Sequence, residues 1–200
     1  MVPSPSPLLA DRFAPRPEFG RTDHLLVDAD PAATWKSLRE LDLTELRGGP
    51  AAFAVWFRDV PERWRTRKEG PARERTRLTW DDLDAGTDWM ILGENPCHEI
   101  VLGAVGKFWR PVVKWFPCEP RDFLDFTEPG YGKVVWSFTT HPYGERRTLV
   151  TSEIRVTLTD PQAWLNFRRY WRISTPAVSV ISRAVLRTVK HNAEAKGVKS

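Results

Sequence analysis

A chain of 200 residues suits one ordinary domain or a small domain with tails, and 41% apolar against 28% charged residues is a globular composition, not a disordered or fibrous one. Lys and Arg total 30 against 26 Asp and Glu, and a formal charge of +4 does not point to nucleic acid unless one surface concentrates it. The longest unbroken apolar run, Ala51 to Phe57, falls far short of the ~20 residues of a membrane helix. No apolar segment near the start reads as a secretory signal, and Cys97 and Cys118 lack CxxC spacing, so a soluble cytoplasmic protein without a disulfide framework is expected. The unusual counts are 10 Trp and 10 Phe, enough to fill a large core or line an apolar pocket.

Residues 1–20 hold five prolines and read as a loosely packed leader, leaving one domain over 21–196. His24 to Asp28 predicts a short strand. Asp30-Pro31 then supplies a capping carboxylate and a proline at the first helical position, followed by Trp35, Leu38 and Leu41 at helical spacing. A second short helix is predicted from Pro50, with Phe53, Trp56, Phe57 and Val60 on one side. Beyond Trp89 the period changes to that of strands. Trp89 to Glu94 and Cys97 to Trp109 form two runs joined at Asn95-Pro96, and Gly103 and Gly106 suggest a bend or bulge. Residues 110–131 read as an irregular connection.

Lys133 to Thr140 and Arg147 to Thr159 predict a hairpin around His141-Pro142-Tyr143-Gly144. Centred on Gly144, the pairing sets Val135 against Glu153 and Lys133 against Arg155. Val134, Trp136, Phe138, Val150, Ile154 and Val156 then share a dry face, and Lys133, Ser137, Thr139, Thr151, Glu153 and Arg155 a wet one. Asp160-Pro161 starts the longest helix, with the stripe Trp164, Phe167, Trp171, Val178, Ile181, Val185, Val189 and a kink expected near Ser174-Thr175, before Pro176. This order of elements is α+β, and the economical packing lays the last helix across the dry face of a curved antiparallel sheet.

Asp28-Ala29-Asp30-Pro31-Ala32-Ala33-Thr34-Trp35, His98-Glu99-Ile100-Val101-Leu102-Gly103, Gly106-Lys107-Phe108-Trp109-Arg110, Thr151-Ser152-Glu153-Ile154-Arg155-Val156, Thr159-Asp160 and Phe167-Arg168-Arg169-Tyr170-Trp171 give the chain its resemblance to a family. It resembles the START-like, or SRPBCC, superfamily, in particular a bacterial branch of it, over roughly residues 20–195. The resemblance implies the helix-grip fold, in which a curved antiparallel sheet wraps around a long kinked C-terminal helix. It also implies a deep apolar cavity, used across the superfamily by lipid carriers, hormone receptors, polyketide cyclases and oxygenase domains. The two His and one carboxylate that hold iron in the oxygenase branch have no counterpart in the scattered His24, His98, His141 and His191, so neither metal nor cofactor is expected.

The expected ligand walls are Ile100, Leu102, Trp136, Phe138, Ile154, Trp171 and Val178, which converge between sheet and helix; plain core packing is the alternative for any one of them. His98 shares parity with Ile100 and Leu102 and is the weak candidate for an orienting or catalytic group, against the simpler role of a strand-end histidine. Glu153 and Arg155 read as an outward ion pair. Arg63 to Arg77 holds seven basic residues and two acidic ones; a solvated loop is expected there, with transient contact to an anionic membrane surface as the alternative. No nucleophile elbow, phosphate loop, dinucleotide fingerprint or zinc-protease motif is present. The expected function is binding of a hydrophobic small molecule (a lipid, polyketide or isoprenoid), with a cyclase or dehydratase acting in the same cavity as the alternative.

Overall fold

The structure, a computed structural model, describes residues 7–46 and 78–197. The helix predicted from Pro50 and the basic stretch 63–77 lie outside the described residues. A short helix α1 (Leu9–Phe13) precedes strand β1 (Phe19–Val27) and helix α2 (Pro31–Arg39). Helix α3 (Trp80–Gly86) leads into β2 (Met90–Asn95), β3 (Glu99–Lys107), β4 (Lys114–Phe116), β5 (Gly132–Pro142), β6 (Thr148–Leu158) and the 37-residue helix α4 (Pro161–Gly197). The strands form one antiparallel sheet in the order β1-β6-β5-β3-β2, with β4 pairing β3. The fold is α+β, a curved antiparallel sheet gripping a long terminal helix. No helix among the described residues is long and apolar enough to cross a membrane.

Both Asp-Pro signatures open helices. Asp30 accepts from the Ala33 amide at 2.9 Å, and Asp160 accepts from the amides of Gln162 and Ala163 at 2.8 and 2.9 Å. The second Asp160 oxygen takes the amide of Gly130, so this one carboxylate also holds the loop before β5. The Ala163 amide first, then that of Gly130, keeps the Asp160 carboxyl below the ordinary carboxylate range. Asp160→Ala is therefore expected to cost about 1–2 kcal/mol, read as a lower urea midpoint at unchanged slope. An unmoved midpoint would contradict the capping role.

In the β5–β6 hairpin Val135 faces Arg155, and Lys133 faces Thr157. The register differs from the predicted one by two residues because His141 and Pro142 still pair, with Leu149 and Thr148, and the loop falls at 143–147. The amide of Tyr143 donates to the Arg147 carbonyl at 2.8 Å to close it, and Gly144 takes the left-handed φ of 71°. A shift of two preserves parity, so each hairpin residue keeps its predicted side of the sheet. The bulge lies in β2, between Ile91 and Gly93, and not at Gly103. Gly103 is needed for another reason: a Cβ there would meet Leu92 Cδ1 at 2.5 Å and Phe123 Cε2 at 3.0 Å.

The face predicted to be wet is dry over its centre. Val101, Val105 and Val135 project from it, and Ala10, Phe13 and Ala14 together with Phe123, Phe126 and Tyr131 cover them in a second core. Ser137 and Thr139 are buried here as well. Only the β6 side stays partly open, where Arg155 pairs with Glu153 at 2.9 Å and with Asp11 at 2.7 Å. Within the proline-rich segment read as a leader, Ala10, Phe13 and Ala14 are thus buried against the sheet. Glu99, 1% exposed, accepts the amides of Leu9 and Ala10 at 2.6 and 3.0 Å and ties the free N-terminal donors of α1 to the sheet.

Candidate functional site

The site is built on the opposite face. Even-numbered residues of β3, β5 and β6 and odd-numbered residues of β1 point toward α4, with α2 and α3 closing one side. All seven residues expected to form ligand walls meet in this one cluster: Ile100, Leu102, Trp136, Phe138, Ile154 and Val178 are buried in it, and Trp171 packs on it half-buried. α4 presents Phe167, Val178, Ile181, Val185 and Val189 as a buried stripe and runs unbroken through Pro176. Just before the proline, the Thr175 hydroxyl donates to the Trp171 carbonyl, a back-bond of the kind that bends helices.

The aromatic residues form a continuous arc across the inner face. Trp136 contacts Phe138, with ring centroids 4.9 Å apart, and Trp89 at 6.1 Å. Trp89 leads to Trp115 at 6.4 Å, Trp115 to Phe108 at 5.6 Å and Phe108 to Phe167 at 6.5 Å. Phe167 stacks on Trp171 at 5.5 Å and meets Phe19 at 5.1 Å. Trp80 closes the near end against Phe138 and Trp136, its indole N–H donating to the Leu38 carbonyl at 2.8 Å. Edge-to-face and offset geometries dominate, as the ring quadrupole favours.

Trp80, Trp89 and Trp115 are members that sequence reasoning did not assign. For Trp80 a signal existed: Thr79 and Asp82 make a reciprocal capping box that starts α3 and places Trp80 in its first turn. Trp89 and Trp115 carry no comparable signal. They belong to separate segments and meet only because β2 and β4 lie end to end along the same edge of β3.

Polar groups on this face are few. The Trp136 indole donates to Ser152 Oγ at 2.9 Å, and both are buried. At the β1 edge Asp23, 7% exposed, accepts from Arg21 at 3.2 Å, from Arg183 at 3.1 Å and from the Ser179 hydroxyl at 3.4 Å. Burial alone would raise its carboxyl, but the hydrogen bonds and charges of the two guanidiniums outweigh burial and hold it below the ordinary range. Ser174 differs from all of these. It sits between Trp171 and Val178 at helical steps of three and four, is buried, and its Oγ has no hydrogen-bond partner.

His98 lies outside the cluster. It ends the β2–β3 turn, half-buried, with its ring edge-on to that of His141 at 4.8 Å. Burial first, and then the neighbouring His98, lower the His141 pKa from its usual value. Glu99 is adjacent, but both its oxygens serve the amides of α1. Among the described residues no group of three or more His, Cys, Asp and Glu side chains is arranged to hold a metal ion.

No family profile and no curated protein matches the chain. Among solved structures, it is similar to the hypothetical protein jhp0584 from Helicobacter pylori at 10% identity, covering 96% of this chain and 99% of that one, with a TM-score of 0.44. It is also similar to the di-domain aromatase/cyclase StfQ of steffimycin biosynthesis at 18% identity and a TM-score of 0.42. That match covers 89% of this chain and 52% of StfQ, so this chain spans about half the length of that protein. The Zhui aromatase/cyclase from Streptomyces sp. R1128 matches at 14% identity over 88% of this chain and 93% of its own, with a TM-score of 0.34.

Proposed function

We propose that this protein binds a hydrophobic small molecule, a lipid, polyketide or isoprenoid, between the sheet and α4. Ile100, Leu102, Trp136, Phe138, Ile154, Trp171 and Val178 supply the walls, and Ser174 supplies the one orienting hydrogen bond. The observation that carries this reading is the Ser174 hydroxyl, buried and without a partner on the very stripe of α4 that faces the aromatic arc. A buried hydroxyl left unsatisfied costs about 1–3 kcal/mol, so its presence on an otherwise apolar wall favours a ligand that completes it. Affinity then comes from buried apolar area at roughly 25 cal/mol per Å², with the hydroxyl selecting a carbonyl or hydroxyl on the ligand.

The cyclase or dehydratase reading needs a poised acid or base at the same site. Asp23 is fully engaged by Arg21, Arg183 and Ser179, and His98 stands at the end of the sheet. These placements speak against Asp23 and His98 in that role and leave Tyr170, which packs against the cluster, as the remaining candidate.

Native mass spectrometry of the purified full chain tests the reading. A co-purified apolar molecule, lost on denaturation, is expected; the bare chain mass, unchanged after incubation with polyketide, fatty-acid and isoprenoid panels, would contradict it. Ser174→Ala gives the sharper contrast. It should weaken binding of a captured carbonyl ligand severalfold while leaving the empty protein equally stable or about 1 kcal/mol more stable, since an unmet hydroxyl is removed.

A further inference from the structure

On the other face of the sheet, α1, residues 124–127, the start of β5 and the end of β6 line an open cleft of about 520 Å³. Phe13, Phe126 and Leu158 give it apolar walls, and Arg12, Arg16 and Lys133 line it with positive charge. Among the described residues no carboxylate lines it. Of the neighbouring acids, Asp11 pairs with Arg155 at 2.7 Å, Asp160 caps α4, and Glu18 accepts the amide of the lining residue Leu158 at 3.0 Å; Asp125 and Glu128 flank the pocket's 124–127 segment and are exposed. Asp125 acts on Lys133 only through longer-range attraction.

Lys133 is the informative residue. It is half-buried at the start of a central strand, where its ammonium donates to the carbonyls of Phe123 and Leu124 at 3.3 and 3.1 Å and lies 5.6 Å from the Phe123 ring centroid. Two neutral acceptors and a ring face hold the ammonium, and among the described residues no carboxylate is in ion-pair contact with it. Burial accordingly lowers the pKa of Lys133 from the ordinary lysine value. Arg12 and Arg16 are exposed, and among the described residues neither forms an ion pair with a carboxylate.

We propose that this pocket is a second binding site, for an amphipathic organic anion: one carboxylate carried on an aromatic or short aliphatic body. The carboxylate pairs with Lys133 and the two arginines, and the apolar body lies against Phe13, Phe126 and Leu158. A mostly apolar hollow with a few convergent polar groups, of several hundred Å³, is the form that small-molecule sites take. Charge-assisted hydrogen bonds from Arg and Lys select the carboxylate over a neutral analogue of the same shape. The two sites lie mainly on opposite faces of the sheet and share Leu158, which lines this pocket and also packs against the edge of the cluster under α4.

The test is amide NMR of the full chain titrated with sodium 2-naphthoate, sodium octanoate and the neutral 2-naphthamide. Naphthoate should shift the amides of Phe13, Lys133 and Leu158 saturably, with naphthamide roughly tenfold weaker. Saturation by octanoate as well would extend the site to aliphatic carboxylates, and saturation by naphthoate alone would narrow it to aromatic ones. The double variant Arg12→Gln/Arg16→Gln, which changes two exposed side chains and leaves the fold intact, should weaken naphthoate by roughly tenfold. Equal response to naphthoate and naphthamide, no shift by either anion at millimolar concentration, or shifts confined to Trp136, Trp171 and Val178 would overturn the proposal. The last result would leave the binding site proposed under α4 standing, so the two readings fail separately.

Discussion

Replacing Asp23 by Asn should lower the unfolding free energy by about 2 kcal/mol at neutral pH, and the deficit should shrink in acid. Asp23 is buried between β1 and α4, so the substitution leaves the Arg21 and Arg183 guanidiniums facing a neutral amide. Breaking a buried pair commonly costs 3–5 kcal/mol; the lower figure applies because Arg21 and Arg183 are 32% and 56% exposed and can turn to water. The sign with pH follows from the depressed folded pKa of Asp23. Its contribution is complete above the unfolded value of about 3.9 and is lost as the pH falls through the lower folded value. Urea titrations of both proteins at about pH 7, 5 and 3 should therefore show a gap that closes at the acid end. A gap that stays constant across that range would remove the charge from the explanation.

The second large effect belongs to Trp136. Trp136→Ala should cost about 3–5 kcal/mol, because a 1% exposed indole is replaced by a void among Trp80, Trp89 and Phe138. Trp136→Phe keeps part of the ring packing but loses the bond to Ser152 and part of the indole volume, so its cost should be smaller, about 1–3 kcal/mol. Thermal or urea unfolding of the pair checks this. Equal losses for Ala and Phe would mean that the hydrogen bond, and not the packed ring, dominates at this position.

How much of this was readable in the sequence depended on whether a signal was local. α4 and the β5–β6 hairpin were legible because a stripe at steps of three or four and an alternation of period two repeat often enough to be unmistakable, and Asp160-Pro161 marks the helix start. The inner face followed from the same parity, which is why all seven residues expected as walls fall in one core cluster. α1 was not legible. Five residues are too few for a period to show, and they sit in a proline-rich stretch whose composition suggests a tail, yet Ala10, Phe13 and Ala14 are needed to cover Val101, Val105 and Val135. The polar cluster was equally hidden, since Asp23 and Arg183 lie 160 residues apart and meet only through the docking of α4 on β1. Ser174 showed in sequence merely as an interruption of the apolar stripe. Only the packed structure reveals that its hydroxyl is buried and unmet.

The central claim is that an apolar ligand lodges beneath α4, and 5-fluorotryptophan NMR of the full chain addresses it directly. With resonances assigned by single substitution, addition of a captured or panel ligand should move the signals of Trp136 and Trp171 together, saturably and in proportion to one another. Ligand binding that leaves both of these signals in place would contradict the account.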